Sequence, residues 1–231
     1  MRWTRACVWV GCSLLAGGLI AARADTHSCG EPPEESHYVA QPGDTEDAQH
    51  FAAERVFNGE GRLELNMCSG ELHIERGQGD RLKLRIEIGT APSLKMRAYV
   101  KTFDVAKGHS TISLEFPRRF HPVVVLELPS STSLKSEINL GAGRVYFDAN
   151  GVRGDRELNL GAGSAHLRMA GDHDYSDFEA NVGMGSFHDH RPGGASSHFI
   201  ISREYQGAGE GRLEMNVGAG SIDIDPVGGT I

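Results

Sequence analysis

Five copies of one short pattern constrain this chain more than any other feature. ELNMCSG (64–70), EINLGAG (137–143), ELNLGAG (157–163), EANVGMG (179–185) and EMNVGAG (214–220) each read Glu, apolar residue, Asn, apolar residue, then a small turn closed by Gly. The first and last copies share a lead-in, GEGRLELN (59–66) against GEGRLEMN (209–216), with one difference. The closing glycines Gly70, Gly143, Gly163, Gly185 and Gly220 lie 73, 20, 22 and 35 residues apart. A period of about 21 residues is too long for one hairpin and suits one rung of a stacked β-structure. The gap of 73 leaves room for unmarked strands between 80 and 130. The gap of 35 predicts one rung plus an insertion, RPGGASSHFIISREYQ (191–206).

Strand alternation assigns faces to the repeat. Leu158 and Leu160 share one face, Glu157 and Asn159 the other; after the turn Ala165 and Leu167 oppose His166 and Arg168. Stacked at about 4.8 Å, the copies would form columns of like residues. The inner columns are Leu65, Ile138, Leu158, Ala180 and Met215, then Met67, Leu140, Leu160, Val182 and Val217. An amide column, Asn66, Asn139, Asn159, Asn181 and Asn216, satisfies itself, because each side chain can donate to the next carbonyl. Glycine fits turns that need positive φ or close backbone approach.

The rest of the chain agrees with an all-β domain. Leu82, Leu84, Ile86 and Ile88 alternate with Lys83, Arg85 and Glu87, and the segments 112–116 and 124–128 continue that period. No sustained 3.6-residue apolar period follows Arg55. Ahead of the domain, Arg2 and Arg5 precede an apolar stretch to Ala22, and Ala22-Arg23-Ala24 reads as a cleavage site, so residues 1–24 are expected to be a secretory signal peptide. Residues 25–50 are polar and acidic and read as a loosely ordered arm, with a short helix conceivable over 45–54. The expected domain spans 51–231. Without the leader the chain keeps 20 basic against 31 acidic residues, a balance that argues against nucleic acid. No apolar run is long enough for a transmembrane segment. In an exported chain Cys29 and Cys68 could pair or remain two thiols.

Repeated φ-x-φ-x-G-(A/S)-G-x-φ-x-φ units behind a signal peptide resemble the bacterial putative-adhesin family of exported, toast-rack-like β-solenoid domains. The resemblance covers about residues 55–231. It implies a single-domain, right-handed β-helix-like fold with rungs of about 20–22 residues at the cell envelope, and it supplies no catalytic residues. Cys68 stands where the pattern has its first turn glycine, which adds to the case for a Cys29–Cys68 bridge.

Enzyme signatures fail on inspection. The Gly-Ala-Gly turns lack the third glycine of a dinucleotide loop, His166 standing in its place, and they lie between strands rather than before a helix. There is neither GxSxG nor HExxH. DHDYSD (172–177) has Asp177 where a calcium loop turns on Gly, and Gly183 where its closing Glu belongs. One polar column is more suggestive: His73, Tyr146, His166, His188 and Asp223, then Glu75, Asp148, Arg168, His190 and Asp225. If His166, His188, His190, Asp223 and Asp225 converge, zinc or another divalent cation is the ion they would take; otherwise the column is a solvated face. No other cofactor is expected. The column Glu64, Glu137, Glu157, Glu179 and Glu214 should repel itself. Arg62, Lys135 and Arg212 could offset part of this, Asp155 and Asp177 worsen it, and crowding could raise carboxylate pKa values.

These features predict a non-enzymatic binding or structural module, periplasmic or at the cell surface, whose partner is an envelope protein or a glycan. A polysaccharide-active β-helix enzyme is the alternative, although no unique carboxylate pair stands out for it. A third reading is self-association through the solenoid ends, the last repeat leaving an open edge.

Overall fold

The computed structural model describes residues 36, 38–57, 61–106, 109–130 and 133–227. The expected signal peptide (1–24), the first part of the arm and Cys29 lie outside the described residues. Twelve strands form one sheet: β1 (Thr45–Glu46), β2 (His50–Val56), β3 (Gly61–Arg76), β4 (Arg81–Glu87), β5 (Val100–Ala106), β6 (His109–Leu114), β7 (Val123–Leu128), β8 (Leu134–Asp148), β9 (Arg156–Met169), β10 (Asp177–Asp189), β11 (Ser196–Gln206) and β12 (Arg212–Pro226). Two short 3₁₀ turns, Met96–Tyr99 and Arg118–Phe120, complete the elements, and no α-helix occurs among the described residues.

The five repeats are the centres of the five long strands β3, β8, β9, β10 and β12. Each strand continues unbroken through its glycine corner. In β9 the buried residues are Arg156, Leu158 and Leu160 before the corner and Ala165, Leu167 and Met169 after it, so burial switches from even to odd positions. The corner absorbs one step of the alternation, and both arms of the bent strand turn their apolar side to the same interior. All the long strands bend at the same place, and their buried residues belong to one hydrophobic core.

The corner glycines are required by the stacking itself. A Cβ on Gly163, at φ +136, would stand 1.8 Å from the Gly143 carbonyl oxygen, and a Cβ on Gly220 would stand 1.7 Å from that of Gly163. Each corner is roofed by the next at a distance that no side chain survives.

Register follows the repeat residue for residue. Glu137 to Leu140 pair with Glu157 to Leu160, and Gly143 with Gly163, in parallel. Spatial order, however, departs from chain order: β3–β8–β9–β12–β10–β11. The last repeat is inserted between the third and the fourth, pairing in parallel with β9 on one side and β10 on the other. The expected open edge after the last repeat is therefore absent, and the expected insertion over 191–206 contains strand β11, antiparallel to β10 at the end of the sheet. The chain re-enters through Gly207–Gly211, close beneath loop 172–175: Gly209 donates to the Tyr175 carbonyl at 2.8 Å. A Cβ on Gly209 would lie 2.1 Å from the His173 carbonyl oxygen.

At β3 the sheet divides. The first arm of β3 pairs with β6, which is followed by β5; the second arm pairs with β7, followed by β4, β2 and β1. The short helix conceived over 45–54 is strand instead, because Phe51, Ala53 and Arg55 alternate inward. Part of the polar arm is held to this end. Asp44 meets Arg55 at 2.6 Å with both side chains nearly buried, Tyr38 packs edge-on against Phe51, and Glu46 pairs with Arg97 at 2.5 Å.

Candidate functional site

Two outward faces carry the polar columns, one on each arm. On the first arm the amides form a continuous ladder. Asn181 donates to Asn216 at 3.1 Å, Asn216 to Asn159 at 3.0 Å, Asn159 to Asn139 at 3.0 Å and Asn139 to Asn66 at 3.0 Å. Each amide also donates to the Glu two residues earlier, from 2.8 Å at Asn66–Glu64 to 3.5 Å at Asn139–Glu137. In Asn139, Asn159, Asn181 and Asn216 both amide hydrogens are thus spent inside the ladder, while Asn66, at its end, donates to Glu64.

Three carboxylates of the Glu column, Glu137, Glu179 and Glu214, are paired with arginines. Arg62 donates to Glu137 at 2.5 Å, and Arg212 lies between Glu179 at 2.6 Å and Glu214 at 3.2 Å. Lys135 reaches Asp155 at 3.2 Å. The crowding expected to raise carboxylate pKa values is outweighed at Glu179: the Asn181 hydrogen bond, and then Arg212, hold that carboxyl below the ordinary value. A groove of about 280 Å³ opens where these arms begin, its rim formed by Arg62, Lys135, Asp155 and Arg212. Arg156 closes its floor, 3% exposed, donating to the carbonyls of Val152 at 3.0 Å and Asp174 at 2.7 Å. Burial pushes that guanidinium down to about 10. Among the described residues no carboxylate pairs directly with it, so Arg156 ties two loops to the sheet through their backbones.

On the second arm, rings stack along the column. His73 and Tyr146 are 4.7 Å apart between centroids, and Tyr146 and His166 5.0 Å, all nearly parallel. His73 also meets Glu71 at 2.7 Å. Because β12 lies between β9 and β10, Asp223 stands beside both His166 and His188, closer than chain order implied. Asp225 stands beside Arg168, which is paired with Asp148. The His190 ring is 6.2 Å from that of His188. These five residues do not converge into the expected cation site: among the described residues no group of three or more His, Cys, Asp or Glu side chains is close enough to hold a metal ion. Parallel, in-register pairing sets the outward side chains of neighbouring strands side by side. Local bonds also hold them apart, His166 against Tyr146 and Asp223 accepting from Ser221 at 3.0 Å.

Cys68 is disulfide-bonded; the expected partner, Cys29, lies outside the described residues. Three features went unread in the sequence. One is the Tyr38–Asp44–Arg55 cluster. A second is the pair of Arg191 and Asp189, 2.8 Å apart and mostly buried, with Arg191 5.3 Å from the centre of the Tyr205 ring. The third is an apolar corner formed by Met184, Phe199 and Ile200. That corner had a signal, since Met184 occupies a position held by Ser69, Ala142, Ala162 and Ala219 in the other repeats.

A solved structure of a putative cell adhesion protein from Clostridium sporogenes is similar to this chain with a TM-score of 0.47 and 14% identity, covering 78% of this chain and 99% of that one. No family model matches the chain, and no curated protein does. Among the described residues, no helix is long and apolar enough to cross a membrane.

Proposed function

We propose that this protein is an exported, non-enzymatic module of the cell envelope, a β-solenoid in which the bent strands are its rungs, and that it binds a macromolecule or glycan across its flat outward faces. The observation that carries this reading is the register of the five long strands, which repeats every outward side chain at the strand spacing of about 4.8 Å. A rigid periodic face suits an extended partner. The acidic groups support the same reading. They recur in columns and are bonded to their own Asn neighbours, an arrangement that keeps register and presents no isolated acid–base pair.

Protease accessibility on intact cells tests it. Digestion of the tagged protein without lysis is the expected result for a surface adhesin. Protection until lysis would overturn adhesion and leave an envelope protein inside the periplasm as the partner.

A further inference from the structure

The β11 end of the sheet is built unlike the others. Among the described residues β11 has one strand neighbour, β10, so one edge of an eleven-residue strand faces outward. The other ends are managed differently: β1 is two residues long, and β5 carries Lys101, paired with Glu115, and Asp104. In β11 the bend falls at Phe199, whose φ of +85° is costly for a bulky L-residue. The bend turns Phe199 and Ile200 outward beside Met184, with relative exposures of 68%, 75% and 62%. A strained corner, three exposed apolar side chains and an unpaired edge coincide.

We propose that this edge pairs with a second copy of itself, β11 against β11 and antiparallel, across a twofold axis through the corner at Ile200. A straight peptide cannot follow the edge along both arms. The partner strand must carry the same bend at the same place, and β11 of a second copy does. Rotation about the bisector of the bend exchanges the two arms, so the first-arm layer of one copy runs on into the second-arm layer of the other. Both cores stay inside, as an isologous contact requires. Centred on Ile200, the pairing sets Arg203 opposite Ser197 and Glu204 opposite Ser196, and gathers the apolar corner residues of both copies around the axis. Registers centred on Arg203 or Glu204 would oppose like charges.

Sedimentation equilibrium of the purified protein, up to roughly 0.1 mM because edge contacts of this size are weak, should show the mass rising to twice the monomer and stopping there. Ile200→Lys should weaken that association by roughly tenfold or more, through a charge buried at the axis, with an unchanged melting midpoint. Should that variant fail to fold, mild oxidation of Ile200→Cys decides: only a residue on the axis faces its own copy, so it should cross-link to dimer where Gln206→Cys does not. A monomer at every concentration would overturn the proposal. So would assembly beyond the dimer, where a closed twofold contact stops, or cross-linking through position 206 in place of 200.

Discussion

At the residue scale, the glycine corner shows how little freedom the repeat leaves. The ideal Cβ of residue 163 meets a carbonyl oxygen of the neighbouring strand, which belongs to the sheet ladder and cannot move aside. Gly163→Ala is therefore expected to cost about 3 kcal/mol or more, or to prevent folding, as read by urea denaturation. Ala162→Ser at the outward corner position, where the first repeat already has Ser69, should stay within about 0.5 kcal/mol. Asp44 makes a different kind of prediction. Burial pushes its carboxyl up, but hydrogen bonds from Arg55, the Gln41 amide and Tyr38 outweigh burial, so it titrates below the ordinary value. The sign follows from linkage: the folded state binds this proton more weakly, so the stabilisation is complete above the ordinary carboxylate pKa and is lost as pH falls through the folded value. Asp44→Asn should flatten the acid limb of the stability curve below about pH 4. At neutral pH it should cost about 3–5 kcal/mol, because Arg55 is left buried without its counter-charge. The same burial, with Asp44 beside it, pushes the Tyr38 hydroxyl up to about 12.

At the scale of elements, the amide ladder and the position of β12 determine how the strands depend on one another. Asn159 donates to Asn139 and Glu157 and accepts from Asn216. Asn159→Ala should cost about 1–3 kcal/mol, since half-buried partners lose their bonds. Asn181→Ala, at the end of the ladder, should cost measurably less, and equal losses would show that the ladder does not act as a connected unit. β12 is flanked on both sides along its length, whereas β1 pairs over two residues. Hydrogen exchange should accordingly find β12 amides among the slowest and β1 among the fastest. Rapid exchange in β12 would contradict the inserted order.

For the whole molecule, one buried cluster extends from Phe51 to Ile224 and takes side chains from both arms of the long strands. No second core exists among the described residues to unfold by itself, so thermal and urea unfolding should each show a single transition, with coincident midpoints by circular dichroism and Tyr fluorescence. Two separated transitions would imply that the β1–β2–β4–β7 flank is independent of the five-strand body. The sheet also has unlike ends. The β1 end is fastened by the Asp44–Arg55 pair and a short strand, the β5 end carries Lys101 and Asp104, and the third is the bent, apolar β11 edge to which self-pairing is assigned.

The residues alone determined the strand period, the inward and outward faces, the amide ladder and the need for glycine at the corners. Each of these follows from interactions between like residues one strand apart, so a repeated motif displays them directly. Tertiary structure decided which repeats are neighbours. Because all five copies match one another in register, pairing β12 between β9 and β10 satisfies the ladder as well as placing it at the end would, and local pattern cannot distinguish the two. The outcome turns on non-local terms: β11 folding back on the outer side of β10, and the close passage of Gly207–Gly211 under loop 172–175. The column of His166, His188 and Asp223 shows the same division: sequence spacing placed these residues in one column, and the pairing of β12 between β9 and β10 decided that Asp223 stands beside both histidines.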